Sequence, residues 1–208
     1  MNPTRPTNPA LLRCAAVVAC RNEADLLNQH LPLWIAEGLE VVIIDHSSND
    51  ATRAVAEAWL GRGVLKVQSL EWLGQFSLEQ QLAAKEAAIQ GLDHDWVVHL
   101  DTDEWLHSPM EGETLQEALS RLAAAGANAV NFEEFVLLPL TRNQPAEHYY
   151  FFEPNRQRLI RAWDRRCQFS NRGSGGHQLM QQGETPLQIA EENLVLRHRI
   201  VRHQADAR

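Results

Sequence analysis

The stretch WVVHLDTDEWL, residues 96–106, decides how the rest of this chain is read. Trp96 to Leu100 form an apolar run rich in Val and Trp, too short for a lone helix, and predict a buried strand. The run breaks off in three carboxylates, Asp101, Asp103 and Glu104, before the chain turns apolar again at Trp105-Leu106. Acids at the exit of a strand stand where open α/β sheets bind ligands. Asp101 and Asp103 are two apart, so an extended backbone points them the same way. Held that close they repel each other unless a cation or a shared proton compensates. A hard, oxygen-seeking Mg²⁺ or Mn²⁺ bridging to a substrate's phosphates is the natural partner, and both acids are candidate metal ligands.

Upstream, strands and helices alternate. Ala15–Cys20 (AAVVAC) predicts a first strand, and Asn22 an N-cap for a helix with Leu27, Leu31, Trp34 and Ile35 on one face. Pro32 predicts a kink or a split in that helix, and Gly38 its end. Glu40–Asp45 (EVVIID) predicts the second strand, followed by the polar turn HSSND, with Asn49 or Asp50 capping a helix that runs to the glycines at 61 and 63. Val64–Ser69 predicts a third strand. Ser77 with Gln80 and Thr114 with Glu117 spell capping boxes, opening helices that end at Gly91 and Gly126. This β-α-β-α-β-α-β series implies a mostly parallel sheet with helices on both faces. Asn128–Leu138 then predicts a strand, 139–155 a loop containing Tyr149 to Phe152, 157–170 a strand-like stretch with scattered Arg, and NRGSGGH at 171–177 a flexible turn.

Composition bounds the class. A length of 208 residues, 44 % hydrophobic and 22 % charged, suits one globular domain with a sizeable core. No apolar run approaches the ~18 residues of a membrane span, and MNPTRPTNPALLRC is too weakly apolar for a signal peptide. Cys14, Cys20 and Cys167 make no paired framework, which is expected of thiols in a reducing cytoplasm. The net charge of −8 is unevenly spread: residues 1–140 hold 8 Lys+Arg against 20 Asp+Glu, and residues 141–208 hold 11 Arg against 7 acids. So acidic a first half argues against nucleic acid as a partner. An Arg-rich end facing an acidic, metal-holding half suits a nucleotide diphosphate.

Several chemistries are excluded by what is missing. There is no G-x-x-x-x-G-K-[ST] loop, no G-x-G-x-x-G after a strand and no G-x-S-x-G elbow. A phosphatase with an Asp nucleophile in a D-x-D-x-[TV] loop is disfavoured because Trp105 occupies the hydroxyl position. What remains is a convergence of strand ends on one cleft. The first strand delivers Arg21, Asn22 and Glu23, the second delivers Asp45 with Ser47 in the turn behind it, and the fourth delivers the D-x-D acids.

VVACRNEADLLNQHLPLWIAEGLEVVIIDHSSNDAT, followed about fifty residues later by WVVHLDTDEWL, resembles glycosyltransferase family 2 with the GT-A fold. The likeness covers roughly residues 14–110. It implies a single GT-A domain with a lead-in at 1–13, a nucleotide-sugar-binding half at 14–126 and a smaller acceptor-side region at 127–208. It also implies metal dependence and inverting transfer from a nucleotide-sugar to a glycan, lipid or protein acceptor. By motif position, Arg21, Asn22, Glu23, Asp45 and Ser47 would line the nucleotide pocket, and Asp101 and Asp103 would hold diphosphate and Mn²⁺ or Mg²⁺. His46 stands where many members carry a second acid, the turn lacks the usual glycine, and Trp105 replaces the more usual Phe.

Members of that family also commonly carry a later His on the metal. His177, on its Gly-rich loop, is placed first and His198 second. Arg156, Arg158 or Arg161 would lie near the phosphates. Glu133 and Glu134 are the candidate catalytic bases, of which strand alternation lets one face the cleft. Two other functions stay open at this point: a sugar nucleotidyltransferase, which normally has a Gly-rich basic loop absent from VVACRNEAD, and a non-catalytic or truncated nucleotide-sugar binder.

Overall fold

Seven consecutive residues of the first strand, β1 (Cys14–Cys20), are buried, as a strand covered on both faces must be. A computed structural model describes residues 11–139, 146–150 and 158–200. Phe151, Phe152 and Arg156 fall outside them, as does the side chain of Arg158. β1 pairs in parallel with β2 (Leu39–Asp45) on one side and β4 (Trp96–Leu100) on the other, and β3 (Val64–Ser69) extends the sheet beyond β2. The connecting helices are α1 (Ala24–Ala36), α2 (Thr52–Glu57) and α3 (Leu78–Gln90). A short strand β5 (Glu104–His107) follows the D-x-D turn, and α4 (Leu115–Ala124) follows it.

The second part of the chain joins the same sheet. β6 (Ala129–Pro139), β8 (Arg158–Asp164) and β11 (Leu194–His198) complete the order β3-β2-β1-β4-β8-β6-β11-β5, with β7 (Ala146–Tyr150) hydrogen-bonded to β6. β8 runs antiparallel between β4 and β6, and β11 runs parallel to β6 and antiparallel to β5. A small ribbon of β9 (Phe169–Ser170) and β10 (Met180–Gln181) lies apart. The fold is a mixed α/β sheet, mostly parallel in its first part, with helices on both faces. Even-numbered β1 residues, Ala16 and Val18, pack with Leu27, Leu31 and Trp34 of α1 and Leu119 of α4. Odd-numbered Val17 and Ala19 pack against Ala88 of α3. At roughly 25 cal/mol per Å² of apolar surface, this double cover is what holds the sheet's acidic edge in place.

Several local expectations are corrected. Asn22 does not cap α1; it sits at φ 55° and its side-chain oxygen accepts the Asn49 N–H at 2.9 Å. The first turn of α1 is instead met from the next loop, where Asp50 accepts the Ala24 N–H. Pro32 neither splits nor ends α1, because it and Asn28, whose carbonyl loses its helical partner, both lie on the exposed face where water can bond. α2 stops at Glu57, well short of the glycines; at its start Ala51 offers no side-chain bond, and Asp50, one of the two expected caps, accepts the first-turn Thr52 N–H at 2.9 Å. Ser77 accepts the Gln80 N–H, but Gln80 turns away to donate to the Glu71 carbonyl, so the first capping box is half made. The Thr114–Glu117 box is complete. Strands β5, β7 and β11 were not expected, β7 falling in the stretch read as a loop; β5 and β11 exist by pairing with partners far away in sequence and β7 by pairing back on β6, rather than by their own periodicity.

Candidate active site

The carboxyl ends of β1, β2 and β4 meet where the sequence places them, and two loops are knitted there. Asn22 and Ser47, at φ 55° and 52°, both hold the left-handed backbone that non-glycine residues seldom adopt. Each lies two residues beyond a strand end. The Asn22 N–H donates to Ser48 Oγ at 3.0 Å and the Glu23 N–H to Thr52 Oγ1 at 2.8 Å. Arg21 is spent within this knot. Its guanidinium donates to the carbonyls of His46 and Ser47 and lies 4.0 Å from the Trp72 ring centroid. His46 is fully buried, edge-on to Trp72, and bonded through its two nitrogens to the Glu71 carbonyl and Gln81. Asp45 is buried, accepts the Ser48 N–H at 3.2 Å and has Arg53 3.8 Å away.

The D-T-D-E turn is pinned from below by α1. His30 Nδ1 meets the Thr102 carbonyl at 2.5 Å, Trp34 Nε1 donates to the Glu104 carbonyl at 2.9 Å, and Thr102 Oγ1 donates to Glu23. Its three acids have three different fates. Glu104 is fully buried, accepts the Asp101 N–H at 3.0 Å and pairs with the buried guanidinium of Arg161 on β8. Burial pushes the Glu104 carboxyl up against the pull of Arg161.

Asp101 takes Lys85 Nζ at 2.7 Å on one oxygen and Arg161 Nη2 at 3.5 Å on the other. Burial would raise it, but those two cations outweigh burial and hold its carboxyl far below the usual range. Its side chain remains 44 % exposed, so one side is open to a ligand. Asp103 faces His198 instead, with Oδ2 3.2 Å from Nε2, while His198 Nδ1 lies 2.5 Å from Glu134. Burial opposes a charge on His198, yet the hydrogen bonds to Asp103 and Glu134 push it up to about 10.

The two D-x-D acids are therefore not equivalent. His198, and not His177, makes the contact to the motif. His177 is exposed; partial burial and then the charge of Arg161 lower its pKa. Of the candidate bases, Glu134 shares a face with His198 and Glu133 lies on the other face of β6. Among the described residues no three or more His, Cys, Asp or Glu side chains form a ready-made metal cluster.

Lys85 was missed by the sequence reading. Its signal is its place three residues after Leu82 and three before Ala88, which makes it a lone cation on the buried stripe of α3. It is 3 % exposed, and its ammonium meets three acceptors: Asp101, the Leu100 carbonyl at 2.8 Å and His99 Nε2 at 3.0 Å. His99 is itself buried, and burial together with Lys85 and Arg161 keeps its ring well below the ordinary histidine range.

This fold is similar to that of TarS from S. aureus, with a TM-score of 0.55 and 11 % identity over 91 % of this chain and 37 % of TarS. The chain thus spans little more than a third of that protein's length. TarS 1–349 in complex with UDP is similar at a TM-score of 0.54 and 10 % identity, covering 91 % of this chain and 61 % of that one. None of the curated proteins matches the sequence. Of the family 2 resemblance, the glycosyltransferase class and the GT-A-like fold stand. Residues 13–173, from the start of the first strand through the β8–β9 region, match the profile of glycosyltransferase family 92, and the chain belongs to that family.

Proposed function

We propose that this chain transfers a glycosyl group from a nucleoside diphosphate sugar to an acceptor hydroxyl. The observation that carries this reading is the convergence of Asp45, Asp101, Asp103 and His198 on one edge of the sheet in a family 92 chain. Buried Asp45 would accept hydrogen bonds from a nucleoside, and the UDP complex of a protein of the same fold makes UDP the first nucleotide to try.

Asp103 and His198 fit a divalent cation. Two donors on adjacent corners of an octahedral ion with bonds near 2.1 Å stand about 3.0 Å apart, and Oδ2 and Nε2 here stand 3.2 Å apart, so that an ion would take the place of the proton that Nε2 shares with Asp103. His198 gives its other nitrogen to Glu134, the carboxylate–histidine arrangement that orients metal-binding imidazoles. Asp101 does not fit as a ligand in this arrangement, because Lys85 and Arg161 occupy its two oxygens. Mn²⁺ or Mg²⁺ held by Asp103, His198 and the diphosphate oxygens would offset charge on the leaving group. Inversion requires one carboxylate to take the acceptor proton. Glu134 is the acid on β6 that faces the site, and we assign it there alongside its hold on His198.

Isothermal titration of UDP, GDP and dTDP with and without Mn²⁺ tests the reading. One nucleotide should bind in a Mn²⁺-dependent way, Asp103→Ala should abolish the metal dependence, and Asp45→Ala should weaken binding even without metal, by about 1–3 kcal/mol for a lost charge-assisted hydrogen bond. Glu134→Gln, whose amide oxygen can still accept from His198 Nδ1, should keep most of the affinity and lose transfer from the matching nucleotide-sugar. Metal-dependent affinity unchanged in Asp103→Ala would sink the assignment.

A further inference from the structure

The loop at 171–177 touches the Asp101 site through one buried side chain that the functional reading leaves unused. His99 stands on β4 two residues before Asp101, 3 % exposed. An ammonium has three protons and no lone pair, and Lys85 directs its three at Asp101, the Leu100 carbonyl and His99 Nε2. Nε2 must therefore accept, so the ring proton sits on Nδ1. The side-chain amide nitrogen of Asn171, itself buried, lies 2.9 Å from Nδ1, and a half-turn of the carboxamide, which exchanges its near-identical nitrogen and oxygen, puts the oxygen there to take that proton.

The same loop closes over the ring at Gly176. With φ at +90°, a side chain there would be strained by its backbone, and its Cβ, 3.2 Å from both Cε1 and Nε2 of His99, would press on the ring. The Gly176 carbonyl in turn accepts from Arg161 Nη1 at 3.1 Å, and Arg161 is the second cation on Asp101. The loop that carries His177 thus reaches Asp101 by two routes, Asn171–His99–Lys85 and Gly176–Arg161.

We propose that His99 is a positioning residue, which fixes the Lys85 ammonium on Asp101 and couples that carboxylate to the packing of the 171–177 loop. In a dry site an ammonium that loses one of three acceptors has no water to replace it. Lys85 would then leave its rotamer, and the open side of Asp101 would lose its orientation. The inference rests on the nucleotide-sugar reading only for what the site binds; the coupling itself is a property of the unliganded fold.

Two measurements on the full chain test it: UDP affinity with Mn²⁺, and amide hydrogen exchange across 171–177 without nucleotide. His99→Phe fills the ring's volume without an acceptor. It should keep the melting temperature within a few degrees, lower UDP affinity about tenfold or more, and speed exchange across the loop. His99→Gln, whose amide oxygen can accept from Lys85, should recover most of both losses. A merely structural histidine would not be rescued in this way. In a Lys85→Met background, His99→Phe should add little to the loss of affinity. If His99→Phe fails to fold, Asn171→Ala carries the exchange test in its place. Unchanged exchange at 171–177 in the folded variant overturns the coupling whether or not nucleotide binds. Unchanged UDP affinity in His99→Phe, with wild-type protein binding normally, overturns the positioning role alone. Wild-type protein that binds no UDP, GDP or dTDP counts against the nucleotide reading and leaves exchange to decide the coupling.

Discussion

The two parts of this sheet solve different problems. From β1 to β4 the chain winds strand, helix, strand, each strand parallel to its neighbours and buried on both faces, and the acids gather where the strands end. From β6 to β11 it returns by antiparallel and edge pairings, and those strands bring the partners: Arg161 for Asp101 and Glu104, His198 for Asp103, Glu134 for His198. The first part concentrates negative charge and the second neutralises it. The −12 and +4 balances of the two segments record that division, but the charge that matters is a handful of buried groups, not the surplus of Arg. Arg172 pairs with Glu79, and Arg166, in the turn after β8, with Asp164 at that strand's end, both at the surface and away from the motif.

The largest expected break in this comparison is Arg161→Met. It removes the cation shared by a fully buried Glu104 and by Asp101; Asp101 keeps Lys85, but leaving buried Glu104 unpaired costs about 3–5 kcal/mol. Urea unfolding should show that loss near neutral pH. Part of it should return on acidification, and the sign follows from Glu104. Its folded pKa is raised above the ordinary 4.5 by burial, and more so without Arg161, so the folded state binds the proton more tightly than the unfolded chain. Stability of the variant is then greatest below 4.5 and falls as pH rises through the raised value. A flat pH dependence of the difference from wild type would mean that Glu104 finds another cation.

A smaller effect is expected at Glu134. Outer partners of metal-bound histidines typically carry 10–100-fold in metal affinity, so Glu134→Ala should weaken Mn²⁺-dependent UDP binding by about that factor with little change in stability. Loss of stability without loss of metal affinity would make the β6–β11 contact structural. The smallest effect belongs to the first part of the chain alone. Thr114→Ala breaks a complete capping box far from the cleft and should cost about 1 kcal/mol in thermal or urea unfolding while leaving nucleotide affinity untouched.

How far the site was legible follows the same division. Asp45, Asp101 and Asp103 were visible because each ends an apolar run, and a run of five to seven buried residues has few alternatives to a strand. Lys85 was visible only as an oddity on a helix stripe. Trp34 and Glu23 were legible as a core and a pocket residue, but nothing local shows that they and His30 hold the D-T-D-E turn, because they sit 70 to 79 residues away from their partners in sequence. His177 looked better than His198 because its glycine-rich loop advertised freedom, whereas the loop is bonded down at Asn171, Gly176 and Ser174.

By itself the sequence determined the parallel β-α alternation, the strand ends that present acids, and the Thr114 cap, since each is set by periodicity or by contacts within a few residues. Only the tertiary structure decided which carboxylate meets which cation. That choice depends on β8 entering between β4 and β6 and on β11 entering between β6 and β5. Strand pairing at such separation is governed by the burial of whole faces, and no local pattern encodes it. Asp101 and Asp103 look alike in sequence and differ because Arg161 and Lys85 converge on one while His198 arrives at the other.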